Sequence, residues 1–199
     1  MDHFVNRVEE LDRLQTLYES DAAELAVMYG RRQIGKSELV RRSIADRNNA
    51  VYYQAVQGTA TTQRRRFVEA AATTYPDITE IKEEWEPLLK HLTERDAVIV
   101  IDEFPYLIES NEGVPSIIQH LWDTAVDESQ ATLVLTGSAI GMIHTHVLDG
   151  GAPLYGRVSQ SPNGRLELTQ LPFSAIHEFV PTYDPEERVF VYGVFGGTP

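Results

Sequence analysis

The chain of 199 residues is long enough for one sizeable core and leaves little for a second, since domains usually run to about 100 to 200 residues. Apolar residues make up 42% and charged residues 24%, a balance that excludes a disordered, collagen-like or coiled-coil chain. There is no cysteine, the opening MDHFVNRVEE has neither a basic leader nor an apolar segment, and the longest apolar runs fall far short of the roughly 20 residues that cross a bilayer, so no disulfide framework, secretion or membrane span is indicated and a cytoplasmic location is expected.

In chain order, Glu24 to Tyr29 form a short apolar run closed by Gly30, and the spacing of Leu39, Val40 and Ile44 predicts a helix over Lys36 to Arg47. A strand follows at Ala50 to Gln54, then a helix from about Thr62 to Thr74 stopped by Pro76, then another over much of Ile78 to Arg95. Ala97 to Ile101 is the kind of β-branched run found in a strand buried on both faces of a parallel sheet, and it ends in Asp102 and Glu103. Pro115 opens a helix through Asp127, Ala131 to Leu135 make the next buried strand, and Ile140 to Leu148 read as a helix. After a loop rich in Gly and Pro, a last strand is expected at Arg165 to Leu171 and helices at Ser174 to Phe179 and Pro185 to Phe195. The plan is α/β, with a parallel sheet sandwiched between helices in one domain over residues 1–199.

The sharpest chemical signal is Gly30-Arg31-Arg32-Gln33-Ile34-Gly35-Lys36-Ser37, a complete P-loop pattern placed between a strand and a helix. Glycines let successive N–H groups turn inward onto a phosphate chain, and the following helix, beginning with Lys36, Ser37 and Glu38, adds its positive end. Lys36 is suited to the β- and γ-phosphates and the Ser37 hydroxyl to Mg²⁺. Asp102, at the end of a buried strand, is suited to hold Mg²⁺ through its water shell, and Glu103 to act as general base on the attacking water. Leu133 to Ser138 form another strand ending in small polar residues, of which Ser138 rather than Thr136 is expected to monitor the γ-phosphate or the water. The long interval between the P-loop and Asp102 leaves room for a further strand, which favours the additional-strand (ASCE) ATPases over nucleotide kinases. No lysine follows an asparagine, so the usual guanine reader is missing and ATP is the expected nucleotide.

These residues resemble the archaeal ATPases of the AAA+/STAND group, the MNG-type relatives of the origin-recognition ATPases. The resemblance spans nearly the whole chain: Phe4 to Leu11, Tyr29 to Arg32, Ile101 to Leu107, Thr136 to Ser138, Pro153 to Arg157, Leu171 to Phe173 and Gly196 to Pro199. It implies that the segment around Arg7 lines the adenine and ribose side, that Arg157 faces the nucleotide as a sensor or arginine finger in cis or in trans, and that Pro199 presses on the adenine. Val8 stands where the family usually places an acid. The resemblance also implies a lid, a winged-helix segment and often a nuclease-like domain beyond Pro199, so a partial chain is expected, with DNA or a protein as partner of those domains and homo-oligomers as an open prospect. Two functions follow: an Mg²⁺-dependent ATPase, or a nucleotide-operated STAND-type switch with little turnover. A small-molecule kinase ranks third, because no acceptor site is evident.

Arginine supplies 14 of the 17 basic residues, since Lys36, Lys82 and Lys90 are the only lysines, and the net charge is −13. Together these favour adaptation to molar salt, where the screening length shrinks to about 3 Å and an acidic surface repels itself little. Net acidity ordinarily argues against nucleic acid, but that argument weakens if the whole proteome is acidic. Arg64-Arg65-Arg66 reads as a solvated helix face, His144 and His146 as ordinary histidines, and Trp85 and Trp122 as core aromatics.

Overall fold

The computed structural model describes residues 6–124, 129–158 and 160–198. Five strands, β1 (Glu24–Tyr29), β2 (Ala50–Gln54), β3 (Val98–Asp102), β4 (Thr132–Gly137) and β5 (Arg165–Glu167), form one sheet in the order β2-β3-β4-β1-β5. Every pairing is parallel. Parallel strands need crossovers, which are supplied here by helices on both faces. The helices are α1 (Val8–Tyr18), α2 (Lys36–Ile44), α3 (Ala60–Ala71), α4 (Trp85–Thr93), α5 (Phe104–Ser110), α6 (Val114–Thr124), α7 (Ile140–Ile143), α8 (Tyr155–Val158), α9 (Ile176–Phe179) and α10 (Pro185–Phe195).

β3 and β4 are buried along their whole length, as the apolar runs Val98 to Ile101 and Leu133 to Leu135 at their centres require. Side chains alternate between two cores. Ile99 and Ile101 pack in the layer holding Phe67, Trp85 and Ile118, while Val98 and Val100 face the layer holding Leu14, Leu39 and Val40. Burying apolar surface at about 25 cal/mol per Å² makes these two layers the main source of stability.

Local signals set several helix ends. The Thr59 hydroxyl accepts from the Thr62 N–H and starts α3, and Asp184 and Glu187 form a reciprocal capping box at α10. The structure departs from the sequence expectation in several places, among them the helix expected at Ser174 to Phe179, which is a 3₁₀ turn at Phe173–Ala175 followed by α9. The single helix expected over 78–95 splits into a 3₁₀ turn at Pro76–Glu80 and α4, because no apolar position lies between Ile81 and Trp85 to bury a continuous helix. The helix over 140–148 changes after α7 into a π-helical turn at His144–Leu148, closed by the Asp149 N–H on the His144 carbonyl. β5 ends at Glu167 rather than Leu171, since after the Leu168 N–H bonds the Tyr29 carbonyl the chain turns toward Gly197. Three short or amphipathic helices, α1, α5 and α8, stand where no helix was expected. The helix begun at Pro115 is described as far as Thr124; its expected continuation to Asp127 lies outside the described residues.

Candidate functional site

All five strands point the same way, so β1, β3 and β4 deliver their final residues to one edge of the sheet. Register places Tyr29 beside Gly137 on the strands that lead into the phosphate-loop pattern and into Ser138. β4 lies between β1 and β3, as the additional-strand class requires.

The loop after β1 is shaped by backbone that L side chains rarely adopt: Gly30 has φ 152°, Gln33 φ 62° and Gly35 φ 89°. A Cβ at Gly30 would stand 2.3 Å from the Leu168 carbonyl oxygen, so only glycine fits there. Gly35 caps α2 without a side-chain partner, leaving the first N–H groups of that helix facing the loop. Ile34 is buried and anchors the loop in the core, whereas Arg31, Arg32, Gln33 and Glu38 are exposed and Ser37 is half-buried. Lys36 is only 5% exposed and donates to the carbonyls of Gly30 at 3.0 Å and Arg31 at 2.8 Å. Burial lowers its pKa; Glu103 and Asp102 pull it back up, and Arg32 adds a smaller downward push.

Asp102 is fully buried, yet its carboxylate is well supplied with donors. Oδ1 accepts from the Glu103 N–H at 3.0 Å and from the Thr136 hydroxyl, and Oδ2 accepts from the Tyr52 hydroxyl at 2.6 Å. Glu103 sits in a left-handed conformation, φ 53° and ψ 45°, at the start of α5. Its Oε2 accepts from Ser138 Oγ at 2.9 Å and from the Ser138 N–H at 3.4 Å. The two hydroxyls at the end of β4 therefore divide the work: Thr136 holds Asp102 and Ser138 holds Glu103. Tyr52 was missed by sequence reasoning; alternation along β2 marks its face, but nothing local marks its reach to Asp102.

Arg7 and Arg157 are held by partners within the chain. Arg7 is 8% exposed and spends its guanidinium on Glu10 at 2.8 Å, the Thr169 carbonyl at 2.6 Å and the Ile34 carbonyl at 3.3 Å. It clamps α1 to the phosphate loop and to the segment after β5. Arg157 pairs with Asp123 in the last turn of α6, the helix that runs back toward the start of β4. The chain after Arg157 returns at Gly164, beside Leu25 near the beginning of β1. Arg157 is thus engaged by Asp123 in this structure, the surface ion pair that such an arginine makes when no phosphate is beside it. Pro199 lies outside the described residues. Gly197, two residues earlier, presses on the segment after β5: a Cβ there would meet the Leu171 carbonyl oxygen at 1.9 Å.

A glycine loop closed on a buried lysine, with a buried Asp102 and a half-buried Glu103 across one intervening strand, can hold a polyphosphate and direct a carboxylate at its end. A family model described as an ATPase domain predominantly from Archaea matches residues 4–199. The chain belongs to this archaeal ATPase family. A relative from Methanocaldococcus jannaschii, the uncharacterized protein MJECL04, is 38% identical to this ATPase domain over 196 residues, which is 98% of the chain but 42% of that relative. The uncharacterized ATP-binding protein MJ0423 of the same organism is 39% identical over 44 residues, 22% of the chain and 75% of that protein. The Walker-type ATPase PABY2304 of Pyrococcus abyssi shares the fold with a TM-score of 0.70 at 17% identity, covering 98% of this chain and 65% of that one. The ORC1 protein of Aeropyrum pernix, solved in complex with DNA, does so with a TM-score of 0.58 at 15% identity, covering 94% of this chain and 50% of that one. The archaeal ATPase domain described here thus spans less than half of its MJECL04 relative and under two thirds of the PABY2304 chain. Among the described residues, no helix is long and apolar enough to cross a membrane.

Proposed function

We propose that this domain binds ATP with Mg²⁺ and hydrolyses its γ-phosphate. The observation that carries the reading is the meeting at one sheet edge of the glycine loop after β1, with Lys36 seated on its carbonyls, and the Asp102 and Glu103 carboxylates at the end of β3. The loop N–H groups and the start of α2 receive the phosphates, and Lys36 exchanges the Gly30 and Arg31 carbonyls for the β- and γ-phosphate oxygens. Ser37 and Asp102 offer hard oxygen donors of the kind Mg²⁺ takes, Asp102 acting through water. Mg²⁺ held there would neutralise charge on the phosphate oxygens. Glu103, oriented by Ser138, accepts the proton of the attacking water. Arg157 is engaged by Asp123, so in this reading an arginine at the γ-phosphate comes from a neighbouring copy rather than from the same chain.

Steady-state phosphate release from ATP and Mg²⁺ in molar KCl, compared with the Glu103→Gln variant, tests the proposal. Turnover that disappears in the variant while ATP binding persists is the expected result; turnover that survives rules out Glu103 as the base.

A second reading, a nucleotide-operated switch with little turnover, is supported by the strap 168–171. Gly30 of the phosphate loop abuts the Leu168 carbonyl, and the Leu171 N–H bonds the Gly197 carbonyl at 2.9 Å. Movement of the loop is thereby passed to the end of α10, which is the element a switch needs. Nucleotide binding without turnover in either protein selects this reading. DNA or a protein partner, engaged through segments such as those its longer relatives carry, is the target proposed for either cycle.

A further inference from the structure

Neither the phosphate-loop pattern nor the Asp-Glu pair accounts for Tyr52. It stands on β2, the edge strand beside β3, in register with Val100 and therefore diagonal to Asp102 on the same face of the sheet. Its hydroxyl donates to Asp102 Oδ2 at 2.6 Å, while Oδ1 is occupied by Thr136 and by the Glu103 N–H. Over its ring lies the guanidinium of Arg41, 4.6 Å from the centroid. Arg41 belongs to α2 and follows Ser37 by one helical turn, so the two share a face of that helix.

A path of direct contacts thus runs from the helix bearing Ser37, through Arg41 and Tyr52, to Asp102. The two residues assigned to the metal side of the nucleotide reach the site from different elements, and a displacement of either by about 1 Å is enough to spoil such a constellation. A carboxylate pinned at Oδ1 alone could still swing Oδ2; the tyrosine hydroxyl removes that freedom. Arg41 is exposed, but stacking over the ring limits the tyrosine's own rotation.

We infer that Tyr52, steadied by Arg41, is a positioning residue that sets the Asp102 carboxylate for the metal accompanying the nucleotide. The inference rests on the nucleotide reading given above. It assigns Tyr52 no contact with ATP, so Tyr52 acts only on that part of affinity which depends on the divalent ion.

The test uses Tyr52→Phe, which keeps the ring and deletes only the hydroxyl. Affinity for a fluorescent ATP analogue is measured by equilibrium titration at saturating Mg²⁺ and again in excess EDTA, alongside Arg41→Gln. Loss of one hydrogen bond to a charged group predicts an affinity drop on the order of 10-fold for Tyr52→Phe in Mg²⁺, with the affinity in EDTA unchanged. The Mg²⁺ concentration needed for half-maximal binding should rise in both variants, less for Arg41→Gln, because Arg41 acts on Asp102 only through the Tyr52 ring it covers. Equal losses in Mg²⁺ and EDTA would make Tyr52 a structural residue only, and no loss in either would deny it any role; both overturn the inference and leave the nucleotide site standing. Wild-type protein whose affinity is indifferent to Mg²⁺ would remove the underlying reading and this inference with it.

Discussion

Ser138 Oγ donates to Glu103 Oε2 at 2.9 Å, so the hydroxyl just past β4 sets the carboxylate just past β3. Replacing Ser138 with Ala removes the shorter of the two bonds to Oε2 and leaves only the backbone N–H at 3.4 Å, a looser hold on the carboxylate. Phosphate release is expected to fall on the order of 10-fold, with ATP affinity little changed, because the lost bond orients the base and not the nucleotide. A rise in turnover would show instead that Ser138 restrains Glu103.

Lys36 is buried and, among the described residues, its hydrogen bonds go to the backbone carbonyls of Gly30 and Arg31. Burying a charge costs stability, so Lys36→Ala should fold at least as well as the parent while losing tight ATP binding. Equilibrium titration with ATP decides this, and undiminished affinity would refute the site.

Glycine is dictated by space at Gly197 and not at Gly141. A methyl group at Gly197 would collide with the Leu171 carbonyl, whereas at Gly141 nothing lies within 4 Å. Urea denaturation of Gly197→Ala should show a loss of about 2 kcal/mol or more. Gly141→Ala, inside α7, should be neutral or stabilising by up to about 1 kcal/mol.

Burial pushes the Tyr18 hydroxyl up to about 12, against a smaller lowering by its bond to Ser43 and by Arg47, and burial likewise pushes Tyr53 up to about 12. A raised folded-state pKa means that the native state keeps its proton where the unfolded chain has lost it. The stabilisation is complete below the unfolded value of 10.0 and is lost as pH rises from there to about 12. Absorbance titration of tyrosinate should therefore show these hydroxyls ionising together with unfolding; ionisation near 10 with the fold intact would contradict their burial.

With a net charge of −13 and few lysines, the surface repels itself in dilute buffer. The melting temperature should climb steeply between low and molar KCl as screening shortens. A flat response would remove the case for salt adaptation.

Much of the site was legible because its signals are local. Gly30, Gly35, Lys36 and Ser37 stand within one turn of chain, and Asp102 and Glu103 end an apolar run that only a doubly buried strand explains. Helices α5 and α8 were not legible: each is two turns or fewer, and neither is long enough to display a period. α1 does carry the period, at Leu14, Leu17 and Tyr18, but charged and polar residues outnumber these apolar positions and mask it.

By itself, the sequence determined the places of the strands, the α/β class and the phosphate-loop pattern, because glycine conformational freedom, hydrophobic period and charge are properties of neighbouring residues. Only the tertiary structure decided that β4 separates β1 from β3, that Thr136 serves Asp102 while Ser138 serves Glu103, that Tyr52 reaches across from the edge strand, and that Arg157 turns to Asp123. Those relationships join residues many positions apart through strand order and register, and no local pattern encodes which distant donor will meet a given carboxylate once the layers close.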